Sequence, residues 1–303
     1  MQIEEVDKWL AAGEAVRRAL SKALDIVREG ARLLKIAEEL ESEIRKEGAQ
    51  PAFPANISIN EVAAHYSPRV EDPSLVPESS IVKVDVGAHV DGCIADAAIT
   101  VSLDKRHDPL VETAARALQV ALAALKPGVK LCSVGQSVEL TVKARGFKPI
   151  ANLTGHLVQR YSLHGGKQVP NVYTESCDKA AAGEVYAVEP FVTNGAGYVV
   201  EGEEGAIYRL VSVKSTKTEN LDQLLKYLWE RYRGLPFSER WIHAEIGEGG
   251  LEDLARLVKL RRIYQYPVLI EARGGFVAQF EDTVILTRER IINTTRVLEL
   301  MKI

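Results

Sequence analysis

The sequence predicts an α+β protein with a helical segment inserted into a strand-rich body, and three observations support this. Apolar residues recur at helical spacing through the first fifty residues, with a break at Gly30. From residue 56 to 102 the period changes to two, which indicates strands and turns. Helical spacing returns in one block from about 215 to 264. Separate blocks of helix and strand favour α+β over a doubly wound sheet, in which they alternate.

Local signals place the helices between these blocks. Pro51 and Pro54 end the first helical region, because proline cannot continue a helix. Two more helices are expected, from about Asp108 to Leu125 and from about Ser133 to Arg145, since each pattern stops at a glycine-containing turn.

The same patterns predict the domain organisation. Strands and loops are expected from residue 150 to about 214, and alternating apolar runs return after the helical block. We therefore expect one domain formed by residues 1–214 and 265–303, interrupted by a helical insertion subdomain at 215–264.

The composition is that of an ordinary globular protein. Of 303 residues, 46% are hydrophobic and 26% charged, and 38 Lys+Arg against 42 Asp+Glu give a formal charge of −4. This balance gives no support for a nucleic-acid or membrane partner. There is no secretory signal and no apolar run long enough to span a bilayer, so a cytoplasmic protein is expected.

The three cysteines, Cys93, Cys132 and Cys177, are odd in number and lack C-x-x-C spacing, which argues for a reducing compartment and against disulfides.

The segment from Ile81 to Val101 predicts a β-hairpin. Asp91 and Gly92 separate two apolar runs, and Asp-Gly is the strongest short hairpin signal, because a type I′ turn needs positive φ at both central residues. If the loop consists of these two residues, Val90 pairs with Cys93.

This register brings two carboxylates onto one face. Asp96 lies opposite Gly87, and Asp85 shares the face of Gly87 because side chains alternate along a strand. Asp85 and Asp96 are then diagonal neighbours, about 7–8 Å apart at Cα. Carboxylates in apolar strands need compensation. A bound cation would supply it; the alternative is that one Asp is an edge residue paired with Lys or Arg.

Three further polar sites lie within apolar runs. His156 follows Leu153-Thr-Gly, although a histidine there can also be a satisfied core residue. Glu189 follows four apolar residues, and the alternative is a strand end before Pro190. Glu281 and Asp282 point to opposite faces of a strand, so at most one faces inward and the pattern does not say which. Two Asp, one His and one or two Glu without thiolate suit a pair of divalent first-row metals rather than structural zinc.

The ordered set resembles the metal-binding signature of methionine aminopeptidases, and the flanking segments agree. The set and the segments are Asp85, Asp96, His156, Glu189 and Glu281, with NEVAAH, VDVGAHVDGCIADAAITV, LTGHLVQRYSLHGGK, VYAVEPF and AQFEDTVIL. The resemblance spans almost the whole chain and selects Glu281 over Asp282. It implies the pita-bread fold, a pseudo-twofold antiparallel sheet flanked by helices. The helical block between Glu189 and Glu281 resembles the insertion of type 2 members, and the short N-terminal region resembles the archaeal form.

The resemblance implies a metal-dependent hydrolase that removes N-terminal methionine from nascent proteins and peptides when the second residue is small. Two divalent ions (Co, Mn, Fe or Zn) would be held with Asp96 and Glu281 bridging, Asp85 on one ion, and His156 with Glu189 on the other. A water or hydroxide bridging the metals would attack the scissile carbonyl. Glu189 could also carry a proton to the leaving amine.

Further residues match substrate-contacting positions of the family. His65 would hydrogen-bond near the scissile amide, and His164 would stabilise the oxygen of the tetrahedral intermediate. Phe53, Leu163 and Tyr266 match positions that line the methionine pocket. Without the resemblance, the two histidines would be interpreted as loop or turn residues and the three apolar side chains as core.

Two other functions share this signature. Aminopeptidase P and prolidase use the same metal set but usually carry a long domain before the first aspartate, for which Asp85 leaves no room. Non-catalytic pita-bread binding proteins typically lose ligands, and all five are present here. The expected partner is the N-terminal Met of nascent polypeptides, with the ribosome as a candidate place of encounter. No specific nucleic acid and no membrane are expected, and the protein is expected to be a monomer.

Overall fold

The computed structural model describes residues 3–301 and confirms the α+β class, since helices and antiparallel sheets occupy separate parts of the chain. The α-helices described are α1 (Ile3–Ile26), α2 (Leu33–Lys46), α3 (Asp108–Ala124), α4 (Leu131–Ala144), α5 (Glu219–Tyr232), α6 (Glu239–Ile246), α7 (Glu248–Lys259) and α8 (Val297–Leu300). The helices predicted near 108–125 and 133–145 are observed with small shifts at their ends. Across residues 3–301, no helix has both the length and the apolar character to cross a bilayer.

The strands are short apart from a few long ones that build the site. They are β1 (Gln50–Pro51), β2 (Asn56–Ile59), β3 (Val62–Ala64), β4 (Ile81–Val90), β5 (Cys93–Ser102), β6 (Lys148–Pro149), β7 (Thr154–Val158), β8 (Gln168–Pro170), β9 (Val185–Val188), β10 (Phe191–Thr193), β11 (Val199–Leu210), β12 (Phe237–Ser238), β13 (Ile263–Glu271), β14 (Val277–Gln279), β15 (Asp282–Leu286) and β16 (Ile291–Asn293). They form four sheets, with orders β1-β4-β2 (β5 also pairs with β4), β14-β10-β6, β12-β11-β13-β3 and β16-β15-β9-β7-β8.

The hairpin β4–β5 has the predicted register. Val90 pairs with Cys93, and Gly87 lies opposite Asp96. Asp91 and Gly92 form the turn with φ of 49° and 83°, as a type I′ turn requires. Both strands are buried along most of their length, because helix α1 packs on them and the site lies beside them. The two-residue loop therefore fixes which face of the hairpin carries each aspartate.

The segment between β11 and β13 contains the three helices α5, α6 and α7, as the helical pattern predicts. Their apolar faces share a cluster separate from the large core that helices α1–α4 form with the sheets. Tyr208 and Leu210 of β11 and Ile263 of β13 complete this cluster. The segment thus packs on one face of the β11–β13 pair and leaves the other face to the body of the protein.

The expectation that the chain has no disulfide is wrong. Cys132, at the start of α4, is bonded to Cys177 in the loop between β8 and β9, with the Cα atoms 5.6 Å apart. The loop runs antiparallel to the residues before the helix, and Leu131 N donates to Asp178 O at 2.9 Å. Spacing alone does not reveal such a pair, because the fold joins cysteines 45 residues apart. Cys93 is the free, buried cysteine that makes the count odd.

The disulfide should contribute to stability. A crosslink that closes a loop of this length typically stabilises by about 2–4 kcal/mol, through restriction of the unfolded chain. We expect the Cys132→Ser/Cys177→Ser variant to lose about that much free energy of unfolding in guanidinium titrations. Thiol titration of the unfolded wild type should give one free thiol before reduction and three after it. Three free thiols without reductant, or unchanged stability of the variant, would contradict the crosslink.

Candidate metal centre

One cavity of about 330 Å³ brings together all the residues singled out from the sequence. Its lining includes Phe53, His65, Asp85, Asp96, His156, Leu163, His164, Glu189, Tyr266 and Glu281. No other pocket described for residues 3–301 combines carboxylates with histidines in this number. The polar residues therefore belong to a single site that is continuous with an apolar chamber.

The five proposed ligands come from two directions. Asp85 and Asp96 face the cavity from hairpin β4–β5. His156 lies on β7, Glu189 follows β9 and Glu281 precedes β15, and these three strands are neighbours in one sheet. A backbone bridge joins the two groups: Glu281 N donates to Ala98 O at 3.0 Å. Main-chain hydrogen bonding thus holds the hairpin against the part of the sheet that carries His156, Glu189 and Glu281.

The ligand atoms are close enough to share cations. One potential ligand atom from each of Asp96, His156 and Glu281 lies within 4.8 Å of the others. Nε2 of His156 is 3.6 Å from Oδ2 of Asp96 and 3.5 Å from Oε1 of Glu189. Asp85 lies beside Asp96 on the hairpin face and lines the same cavity.

Burial shifts the pKa of every proposed ligand, and nearby charges add to the shift for Asp96, Glu189 and Glu281. Burial raises the pKa of Asp85 to about 7. Burial, then the charge of Asp85, raises the pKa of Asp96. Burial and the other carboxylates likewise raise the pKa values of Glu189 and Glu281. Burial lowers the pKa of His156 to about 3, which leaves its imidazole neutral and able to coordinate.

Unpaired buried atoms show that the donor set fits metal ions. Oδ1 of Asp85, Oδ1 of Asp96 and Oε1 of Glu281 are buried without a hydrogen-bond partner in the described part of the chain. Such atoms are costly unless something compensates them. Carboxylate and imidazole donors suit divalent cations such as Mn, Fe, Co or Zn, so the residues present fit the metals that the sequence implies.

The choice that the sequence pattern left open between two acids is clear in the fold. Glu281 faces the cavity, whereas Asp282 faces away from it. Asp282 is fully buried and accepts hydrogen bonds from Asn293 Nδ2 at 2.6 Å, Thr295 Oγ1 and Val297 N. Asp282 therefore stabilises the turn between β16 and α8, and both of its carboxylate oxygens are occupied by these hydrogen bonds.

The sequence reasoning missed Gln279, which holds two of the acids. Its Nε2 donates to Oε2 of Glu281 at 3.2 Å and lies 3.5 Å from Oε2 of Glu189. Its backbone is fastened to the hairpin by Thr100, whose Oγ1 donates to Gln279 O at 2.7 Å. The available signal was a polar residue two positions before Glu281, and hence on the same face of a buried strand.

Two histidines lie where a substrate would meet the cluster. The ring of His164 is 4.4 Å from that of His156, centroid to centroid. His65 has a left-handed backbone with φ of 66°, and its Nδ1 is 3.3 Å from Pro267 O. Burial lowers the pKa of both, that of His65 to about 4, so both are neutral at physiological pH.

The apolar chamber is built by several parts of the chain. Phe53, Leu163 and Tyr266 line it as expected, and the edge of the Tyr266 ring meets His65 at 5.3 Å between centroids. Pro236 joins them from the helical segment. Phe53 packs on Gly87 so closely that a side chain at Gly87 would overlap the ring. The chamber wall is thus in direct contact with the hairpin that carries both aspartates.

Comparison with known proteins adds an independent line of evidence. Metallopeptidase family M24 matches residues 7–288. The chain is 42% identical over 295 residues to the methionine aminopeptidase of Thermococcus kodakarensis, covering 97% of this chain and 100% of that protein.

Two solved structures share the fold. A thermophilic Arx1 has a TM-score of 0.84 at 18% identity, covering 97% of this chain and 91% of that one. Methionine aminopeptidase from Thermotoga maritima has a TM-score of 0.72 at 24% identity, covering 97% and 98%. The pita-bread fold expected from the sequence is confirmed.

The raised pKa values predict how metal and pH act together on stability. Well below pH 4 the carboxyl groups are protonated in both the folded and the unfolded chain. As the pH rises toward 7 and beyond, the unfolded chain ionises first, so the metal-free protein loses stability. Bound cations favour the ionised groups. We expect Mn²⁺ to raise the melting temperature of stripped protein more at pH 8 than at pH 5.5, by calorimetry; equal gains would contradict the interpretation.

Proposed function

This chain belongs to the methionine aminopeptidases of metallopeptidase family M24, and we propose from its site that it removes N-terminal methionine from proteins and peptides whose second residue is small. One observation carries the proposal: a buried cluster of carboxylates and imidazole opens directly into an apolar chamber with neutral histidines at the junction. In this proposal an unbranched apolar side chain occupies the chamber, and the amide bond that follows that residue lies at the cluster.

The proposed ligands divide between two divalent ions. Asp96 and Glu281 would contribute to both ions, Asp85 would hold one, and His156 with Glu189 would hold the other. When bound, such ions supply Lewis-acid activation of water and of the scissile carbonyl. Gln279 supports this arrangement by fixing the orientation of Glu281 and Glu189.

The histidines can position the peptide without changing charge. Because Nδ1 of His65 faces Pro267 O, the proton belongs on Nδ1, and Nε2 is left as an acceptor for the scissile amide N–H. His164 is neutral, so it has one N–H to donate to the oxygen of the reacting carbonyl. Glu189, whose Oε1 is 3.5 Å from Nε2 of His156, would transfer a proton to the departing amine.

The helical segment at 215–264 corresponds, in this proposal, to the insertion of type 2 members. Its contribution of Pro236 to the chamber supports a role in forming the pocket as well as in stability. We further propose that the protein acts as a cytoplasmic monomer on nascent chains at the ribosome. Proline-specific peptidase activity and metal-independent binding are the alternatives that the assay below separates.

Removal and return of metal test the proposed activity. Stripped protein should be inactive, and titration with Mn²⁺, Fe²⁺, Co²⁺ or Zn²⁺ should restore release of Met from Met-Ala-Ser. An X-Pro dipeptide and Leu-Ala-Ser serve as controls and should be turned over poorly. Preference for the X-Pro dipeptide would indicate a prolidase, and no turnover with any divalent ion would indicate a binding protein.

The proposed role of Asp96 as a ligand of both ions can be tested by comparison with Asp282, a buried aspartate outside the cavity. Asp96→Asn should abolish turnover and weaken metal binding, because an amide cannot supply a negative charge between two cations. Asp282→Asn, which alters a buried acid outside the cavity, should lower stability but leave metal affinity within about twofold. Calorimetric titration of both variants with Mn²⁺ makes the comparison. Unchanged turnover in Asp96→Asn would refute the bridging role.

A further inference from the structure

A second buried acid with no part in the metal cluster links the helical segment to the body of the protein. Glu41 lies on α2, and Arg240 is the second residue of α6; both side chains are more than 90% buried. Arg240 Nη2 donates to Oε1 of Glu41 at 2.7 Å and Nη1 donates to Oε2 at 3.2 Å. Trp241 Nε1 donates to Oε2 at 2.7 Å. The carboxylate thus has its charge matched and both oxygens occupied.

This ion pair also holds two segments of the chamber wall. Oε1 of Glu41 accepts from Ala55 N at 3.2 Å, two residues after Phe53. Arg240 Nε donates to Pro68 O at 2.9 Å, and Nη2 lies 3.4 Å from Ser67 Oγ, just after His65. A third segment of the chamber wall is connected to the ion pair by sequence, since Pro236 lies four residues before Arg240.

The backbone of His65 needs such support. A left-handed conformation is unfavourable for a residue with a side chain and persists only where its surroundings enforce it. On the preceding side, Ala64 pairs with Leu269 of β13. On the following side, Tyr66 O accepts from Ile57 N at 2.8 Å, and Arg240 fixes the next two residues. Arg240 is therefore part of what keeps the His65 ring directed into the cavity.

We propose that Glu41 and Arg240 are a positioning pair that sets the shape of the chamber for the methionine side chain. The pair lies outside the cavity lining and acts on substrate only through the segments that carry Phe53, His65 and Pro236. The inference rests on the proposed aminopeptidase function. It adds that the helical segment contributes to substrate selection through this one buried contact.

A purely structural role would lower stability without changing which substrate is chosen, so selectivity is the decisive readout. The Glu41→Gln variant keeps the shape of the side chain and removes its charge. We expect KM for Met-Ala-Ser to rise about tenfold while kcat changes less than about threefold. The ratio of kcat/KM for Met-Ala-Ser over Leu-Ala-Ser should fall about fivefold, because a looser wall admits a branched side chain more easily.

Glu271 offers a matched control. It is as buried as Glu41 and accepts backbone hydrogen bonds from Gly197, Arg273 and Gly275, none of which lines the chamber. Glu271→Gln should therefore lose stability while keeping the Met-to-Leu ratio of the wild type. If Glu41→Gln retains both the wild-type ratio and the wild-type KM, the proposal is wrong, whatever happens to its melting temperature.

A milder variant covers the case in which Glu41→Gln does not fold. Trp241→Phe removes one hydrogen bond to Glu41 and keeps the aromatic packing of α6. It should shift the same ratio in the same direction by about twofold, and an unchanged ratio would overturn the proposal. Wild-type release of Met, measured alongside with the metal-loaded protein, separates failure of this inference from failure of the proposed function, because only the latter removes the reference activity.

Discussion

The fold depends on the compensation of four carboxylates that have been brought out of water into one small space. Burial raises the pKa values of Asp85, Asp96, Glu189 and Glu281, and the charges of neighbouring carboxylates raise those of the last three further, so cations are needed for all four to ionise together. The surrounding architecture keeps them together in spite of that repulsion. The Ala98–Glu281 backbone bridge joins the long hairpin strands to the three neighbouring strands that carry the other ligands. The packing of these strands keeps the four acids close together and available to bind metal.

Much of this could be predicted from the sequence because the signals were local. The Asp91-Gly92 turn fixed the register of the hairpin, and the register fixed the face shared by Asp85 and Asp96. Long-range features were not accessible in that way. Neither spacing nor count reveals that Cys132 meets Cys177, and alternation alone cannot show that Asp282 turns toward the β16–α8 loop.

The contacts that the sequence did not indicate are those in which one polar side chain serves several distant segments. Gln279 connects two proposed ligands, and Glu41 receives donors from residues 14 and about 200 positions away. A polar residue within an apolar helix or strand indicates that a hydrogen-bond partner exists but does not indicate which residue it is. Its identity is decided by the packing of whole elements, such as α6 of the helical segment against α2 of the body.

The arrangement of the ligands along the chain has a consequence for synthesis. Asp85 and Asp96 emerge early from the ribosome, but their site is completed only when Glu281 has been made and has paired with Ala98. Until then the two aspartates lack the last carboxylate of the site, even though His156 and Glu189 have already been made. The growing polypeptide can therefore complete its metal site only late in its own translation.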